Sequence, residues 1–246
     1  MSTHLLADVH LRGADDPNAE RLKAYLAGPA REAEALYVLG DLFDVWIGDD
    51  GSIPIHASIL DAFAKLAATG VPLYFMRGNR DFAVGEGFVA ASRMLILDDP
   101  VVVDLHGTPT LLSHGDMLCT DDTAHQAFRA RYTNPRWRAR MLRIPLWLRR
   151  WLAARARRKS TAGKASKPAH IMDVNGDTVR TTLREYGVTR LIHGHTHRPA
   201  SHRVDLDGTQ GERIVIADWR PEQAEILVAD SQGVHRRSLI QDNSSV

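Results

Sequence analysis

Short apolar runs bounded by glycine, proline or acidic residues recur along the first hundred positions and predict strands over 4–9, 35–39 and 72–76. Between them the apolar positions follow a helical pattern, over 19–27 and 55–69. Gly70 and then Pro72 close the second stretch, a helix-stop signal. The pattern is βαβαβ, as expected where strands are linked by crossover helices. Further strands are predicted over 101–105, 109–113, 190–193, 213–217 and 224–228, with a helix over 172–185. Together these elements predict a layered α/β sandwich. Residues 121–170 break the rhythm: Trp137, Met141, Leu142, Ile144, Leu146, Trp147, Trp151 and Leu152 stand among arginines. This segment reads as a helical insertion or lid. Its stretch 159–168, small, polar and basic, reads as a flexible loop.

A chain of 246 residues suits one domain, 1–246, carrying an insertion at about 121–170. Hydrophobic residues at 44% and charged residues at 25% are ordinary for a globular protein and argue against disorder. The single cysteine, Cys119, rules out an internal disulfide and thiolate metal sites, which fits a reducing, cytoplasmic setting. No signal peptide is expected after Met1, and no run approaches the roughly 18–20 apolar residues of a spanning helix. The net charge of +1 hides an asymmetry. Residues 121–170 hold 14 of the 31 Lys and Arg but only Asp121 and Asp122 of the 30 acids, so that segment is +12 and the remainder −11.

Five short motifs fall at strand ends: Asp8-Val-His10, Gly40-Asp41-Leu-Phe-Asp44, Gly78-Asn79-Arg80-Asp81, His114-Gly-Asp116 and Gly194-His195-Thr-His197. Alternate residues on an extended segment point the same way, so Asp8 with His10, and His195 with His197, are expected to converge. In an open α/β sheet such loops crowd together at the C-terminal ends of the strands, where ligands bind. Carboxylate and amide oxygens mixed with imidazoles suit Mn, Fe, Co or Zn better than Ca, with manganese the first choice. Two ions about 3.5–4 Å apart could share one carboxylate, for which Asp41 is the natural bridge, and together bind a water and a phosphoryl oxygen. Each motif alone has an ordinary explanation as a helix cap, a turn or a satisfied histidine. Ordinary explanations must, however, account for seven potential ligands independently. Asp49, Asp50 and His56 lie off the pattern and read as loop or surface residues.

In this order the motifs resemble the calcineurin-like metallophosphoesterase superfamily, whose pattern is D-x-H, G-D-x-x-D, G-N-x-[DE], an isolated His and G-H-x-H. The match runs from Asp8 to His197. The resemblance implies a four-layer αββα sandwich. It also implies two divalent metal ions, one held by Asp8, His10, Asp41 and His197, the other by Asp41, Asn79, His114 and His195. Many members place a histidine where this chain has Arg80, and that histidine protonates the leaving group. Arginine, with a pKa above about 12, is no ordinary proton donor, but it can grip phosphate in a fork. A phosphate leaving group needs little protonation, so Arg80 points to an anhydride and away from a simple alkyl ester.

Longer runs at 40–50, 78–82, 114–122 and 171–175 resemble the branch that acts on UDP-2,3-diacylglucosamine in lipid A assembly. That resemblance implies manganese-dependent attack of water on the α-phosphorus, giving UMP and 2,3-diacylglucosamine 1-phosphate. Asp41, Asn79, Arg80 and His195 would carry catalysis. Asn79, Arg80, Asp122, Ser160, Lys164, Lys167 and His195 would contact the head group, with Trp46, Phe128, Arg149 and Arg157 as lid or cleft contacts or as ordinary packing. The basic, aromatic insertion offers an apolar cleft for acyl chains and cations for phosphates, and could rest on an anionic leaflet at the cytoplasmic side of the inner membrane. The plainer alternative is a helical hairpin with a core face and solvated arginines. A nucleic-acid partner ranks lower, since no recognised module is present, and a monomer is expected. The competing functions are a phosphodiesterase or phosphatase acting on soluble nucleotides or proteins, and a non-enzymatic binder on a degenerate scaffold. The intact ligand set argues against the last.

Overall fold

The computed structural model describes residues 2–166 and 173–240, the side chains of 159–166 excepted. The first apolar runs form β1 (Ser2–Leu6), β2 (Ala33–Leu39) and β3 (Leu73–Met76), which pair in parallel. They are linked by α1 (Pro17–Ala27) and α2 (Asp49–Ala67), and α3 (Glu86–Ser92) leads to β4 (Leu95–Leu97), parallel to β3. A second sheet is built from β5 (Val101–Leu105), β6 (Thr108–Ser113), β7 (Arg190–His193), β8 (Ala200–Leu206) and β9 (Thr209–Val215), in the order β5-β6-β7-β9-β8. The chain then returns to the first sheet with β10 (Glu225–Asp230) and β11 (Gly233–Ser238), giving β11-β10-β1-β2-β3-β4.

Three clusters of buried residues separate four layers. Leu22, Leu26, Ile59 and Phe63 of α1 and α2 pack on Leu36, Val38 and Phe75 at one face of the first sheet. Leu5, Leu39 and Met76 meet Leu112, Ile192 and Ile214 between the sheets. Beyond the second sheet, Val179 and Leu183 of α7 (Gly176–Glu185) pack on Leu111 and Leu191. This is the αββα sandwich. Its central strands are covered on both faces, which is why they read as continuous apolar runs. Truncating Phe75, fully buried in this packing, costs about 3–5 kcal/mol.

The insertion is helical, as its pattern predicts: α4 (Thr123–Tyr132), α5 (Pro135–Leu142) and α6 (Leu146–Ser166). The expected loop over 159–168 is corrected at its start, since α6 continues to Ser166. Ala162, Lys164 and Ala165 are good helix formers and no proline intervenes before Pro168. The helices are anchored by ion pairs. Arg149, 6% exposed, forks onto Asp50 and donates Nε–H to the Ile144 carbonyl at 2.8 Å, while Arg157 pairs with Asp44 at 2.7 Å. Among the described residues no helix is long and apolar enough to cross a membrane.

Other departures have local causes. Helix α2 starts six residues before its expected position because Asp49 organises its first turn, accepting from Trp46 Nε1 (2.9 Å) and from the amides of Gly85 (3.1 Å) and Phe88 (3.2 Å). Pro54 deprives the helix of one bond and the backbone kinks at His56 (φ −112°, ψ 17°). Asp49 and Asp50 therefore lie in the first turn of α2 rather than in a loop, Asp50 as an exposed surface residue, whereas His56 stands at the kink and is buried against Phe43, with ring centroids 4.4 Å apart. Trp46 is a core residue, 1% exposed. Helix α3, at 7 residues, and β4, at 3, are too short for a period to be read, and the polar strands β8 and β11 carry too weak an alternation.

Candidate metal centre

All five motifs leave the C-terminal ends of parallel strands: Asp8 after β1, Asp41 after β2, Asn79 after β3, His114 after β6 and His195 after β7. Their convergence does not come from strand alternation, because β1 ends at Leu6 and β7 at His193. Instead Asp8 (φ 53°), His10 (54°), Asp41 (52°), His195 (67°) and His197 (55°) all adopt the left-handed conformation. For residues with a Cβ this conformation is sparsely populated and strained, and it persists only where the surroundings impose it. Glycines let the loops close up: a Cβ on Gly78 would collide with Asp41, and one on Gly194 would collide with Asp8 and, at 2.8 Å, with Ala7.

Seven donors face one another at this end of the sandwich. On one side His10 Nε2 and His197 Nε2 are 3.1 Å apart, with Asp8 Oδ1 3.8 and 3.5 Å from them. On the other side His114 Nε2 is 3.7 Å from Asp41 Oδ1 and 3.1 Å from Asn79 Oδ1, and His195 Nδ1 is 2.9 Å from the same amide oxygen. Two triads, Asp8 with His10 and His197 and Asp8 with Asp41 and His114, bring their ligand atoms within 4.8 Å of one another. Asp8 Oδ1 is buried and has no hydrogen-bond partner, an expensive arrangement for a carboxylate oxygen unless a cation satisfies it. The donor set, carboxylate, amide and imidazole, fits a divalent transition metal.

The surroundings orient these donors. Leu39 O is 2.9 Å from His114 Nδ1 and can accept a hydrogen bond from Nδ1–H, leaving Nε2 to face the centre. Asp8 Oδ2 accepts from the His195 amide (2.8 Å) and Asp41 Oδ1 from the Arg80 amide (2.8 Å). Asp81, fully buried, accepts from the amides of Gly78 (2.8 Å), Asp41 (3.3 Å) and Phe43 (3.3 Å), tying the second motif to the third. Burial and the charge of Asp41 push its carboxyl up to about 7. Burial also raises Asp41, against the pull of His114. Burial would raise Asp8 too, yet the imidazoles of His197, His114 and His10 hold it below the usual carboxylate range. Burial opposes the charged form of His114, but Asp41, Asp116 and Asp8 raise it to about 10; His195 is lowered by burial and by His114. A bound divalent cation replaces these protons, holding the carboxylates ionised and the imidazoles neutral.

Arg80 is half-buried, and its guanidinium pairs with no carboxylate among the described residues. Asp122 caps α4 by accepting from the His125 amide at 3.1 Å, and the His125 ring lies 5.0 Å from that of His195, so the insertion abuts the centre. Phe128 is 39% exposed and meets Tyr132 edge to face, with ring centroids 5.1 Å apart. Ser160 and Lys164 fall where only the backbone of α6 is described, and Lys167 lies outside the described residues. Sequence reasoning missed Asp218, 3.4 Å from His197 Nδ1, and the buried network in which Arg129 spans Asp116 and Asp99. Asp99 in turn accepts from the His114 amide at 3.2 Å. Asp218 did carry a signal, as an acid immediately after a predicted strand. Asp99 and Arg129 carried none.

Residues 1–199 match the family model described as calcineurin-like phosphoesterase. A UDP-2,3-diacylglucosamine hydrolase of Aeromonas hydrophila subsp. hydrophila is 46% identical over 243 residues, 98% of this chain and 100% of that one. A protein of the same name from Nitrosococcus oceani is 48% identical over 219 residues, 89% of this chain and 88% of its own length. Among solved structures, a novel archaeal phosphodiesterase superposes with a TM-score of 0.51 at 11% identity, covering 97% of this chain and 99% of that one, a likeness of fold alone.

Proposed function

Because the chain belongs to the calcineurin-like phosphoesterase family, we propose that it hydrolyses the diphosphate bond of UDP-2,3-diacylglucosamine. The products are UMP and 2,3-diacylglucosamine 1-phosphate, the step lies in lipid A assembly, and manganese is the metal. What carries the substrate assignment is 46% identity to a hydrolase of that name along 98% of the chain, insertion included.

The family uses divalent metal ions, which when bound lower the pKa of a water to make it a nucleophile and neutralise phosphoryl oxygens. Asp8, His10, Asp41 and His197 would hold one ion and Asp41, Asn79, His114 and His195 the other. Strand β2 lies between β1 and β3, so Asp41 follows the strand between those that lead to Asp8 and Asn79, and it would be the carboxylate shared by the two ions. Arg80, which forms no ion pair with a carboxylate among the described residues, grips the diphosphate and stabilises charge on the phosphorus undergoing attack. It donates no proton, and a departing glycosyl phosphate needs none. Asn79 and His195 serve both metal and phosphate, while Asp122, Ser160, Lys164 and Lys167 contact the head group. The insertion is the lid of a single domain. Trp147 (70% exposed), Trp151 (54%) and Leu152 (40%), set among arginines, provide apolar surface beside cations for acyl chains and an anionic leaflet. The protein acts as a monomer held peripherally on the cytoplasmic side of the inner membrane.

The test is to strip the protein of metal, return Mn²⁺ and follow UMP release from UDP-2,3-diacylglucosamine. Restored release supports the assignment. A folded protein that releases no UMP contradicts it, and equal turnover of soluble UDP-sugars moves the substrate to the soluble class.

A further inference from the structure

The two sides of the centre are backed differently. Behind His114 stands a neutral group, the Leu39 carbonyl. Behind His197 stands a carboxylate: Asp218 Oδ2 is 3.4 Å from Nδ1, while Nε2 of the same ring faces Asp8 and His10. Asp218 is 5% exposed, and its Oδ1 is buried without a hydrogen-bond partner. Its position is fixed twice. Arg220 Nε donates to Oδ2 at 2.7 Å, and the next residue, Trp219, donates its amide to the Asp8 carbonyl at 3.0 Å. The segment that carries Asp218 thus also holds the backbone of Asp8. It lies beyond residue 199, where the family match ends.

We infer that Asp218 is a positioning residue that makes the two metal sites unequal. Resting on the dinuclear reading above, it fixes His197 in the tautomer with hydrogen on Nδ1, raises the basicity of Nε2 and so tightens the ion held by Asp8, His10 and His197. A carboxylate behind a ligating imidazole does this more strongly than a carbonyl, because its negative charge polarises the ring, and removing such a partner costs roughly 10–100-fold in metal affinity. Arg220, half exposed, holds Asp218 in place and contributes little itself.

The test titrates Mn²⁺ into metal-stripped full-length protein and its Asp218→Ala, Asp218→Asn and Arg220→Gln variants, following bound metal per chain alongside the His197 tautomer by ¹⁵N-resolved NMR of the metal-free forms. Wild type is expected to fill two sites in separate steps. Asp218→Ala should weaken the tighter step by about 10–100-fold, leave the other unchanged and lose the Nδ1–H preference. Asp218→Asn, which still accepts a hydrogen bond, should recover the tautomer and part of the affinity, and Arg220→Gln should shift the tighter step less than Asp218→Ala does. Two steps in wild type with neither moved by Asp218→Ala overturn the inference. So does a loss shared equally by both steps, the mark of a merely structural role. Fewer than two ions in wild type instead overturns the dinuclear reading on which it stands.

Discussion

The loops around Asp8, Asp41 and His195 and the helices α4–α6 use charge in opposite ways. At the metal centre, polar side chains are buried, close together and held in left-handed backbone conformations, so the fold is spent on making a concentrated negative and imidazole-rich site. In the insertion the arginines are mostly exposed and Trp147 and Trp151 face outward, while ion pairs with one buried partner each, Arg149 with the exposed Asp50 and Arg129 with the buried Asp116, anchor the unit. The difference teaches that substitutions in the first region should act on chemistry and metal content, and those in the second on the presentation of substrate.

The largest effect is expected from Asp41→Ala. Losing the bridge should lower turnover by more than about 10³-fold and reduce bound manganese below two per chain, measured by UMP release and elemental analysis. Next comes Arg80→Ala, expected to lower kcat by about 10²–10³-fold with the metal content intact; Arg80→Lys should recover only part, because it lacks the fork. If Arg80→Ala emptied the metal sites, the division between holding metal and holding phosphate would fail. In the insertion, replacing Trp147 and Trp151 together by Ser should raise KM for vesicle-borne substrate about 10-fold, as expected for losing about 1.4 kcal/mol of apolar contact, and leave the melting temperature nearly unchanged. A fall in kcat with unchanged KM would place these residues in the chemistry.

The smallest effect concerns histidines buried away from the metal. Burial lowers His56 and His4 to about 4 from an ordinary value of 6.5. The unfolded chain therefore binds protons that the folded chain refuses between about pH 6.5 and 4, and stability falls as pH falls through that window. His56→Leu should flatten the fall in thermal midpoint across the window. An unchanged slope would show that His56 is protonated in the folded state.

The clustering of the candidate ligands was legible because they sit directly against apolar strand runs, so strand ends and chemistry are read together. The insertion was legible as helical from its apolar residues among arginines, although α6 outran its expected end. What sequence did not disclose depends on long-range geometry: the left-handed turns at Asp8 and His195, the kink at His56, and the pairing of Arg129 with Asp99 across 30 residues. Asp218 shared the strand-end signal of Asp8 and Asp41. Only the fold shows it behind His197.

The central claim is a paired metal site bridged by Asp41, and the most direct measurement is the number of Mn²⁺ ions bound per chain at full activity. The account expects two, with activity rising as the second ion binds. Full activity with a single ion bound would contradict it.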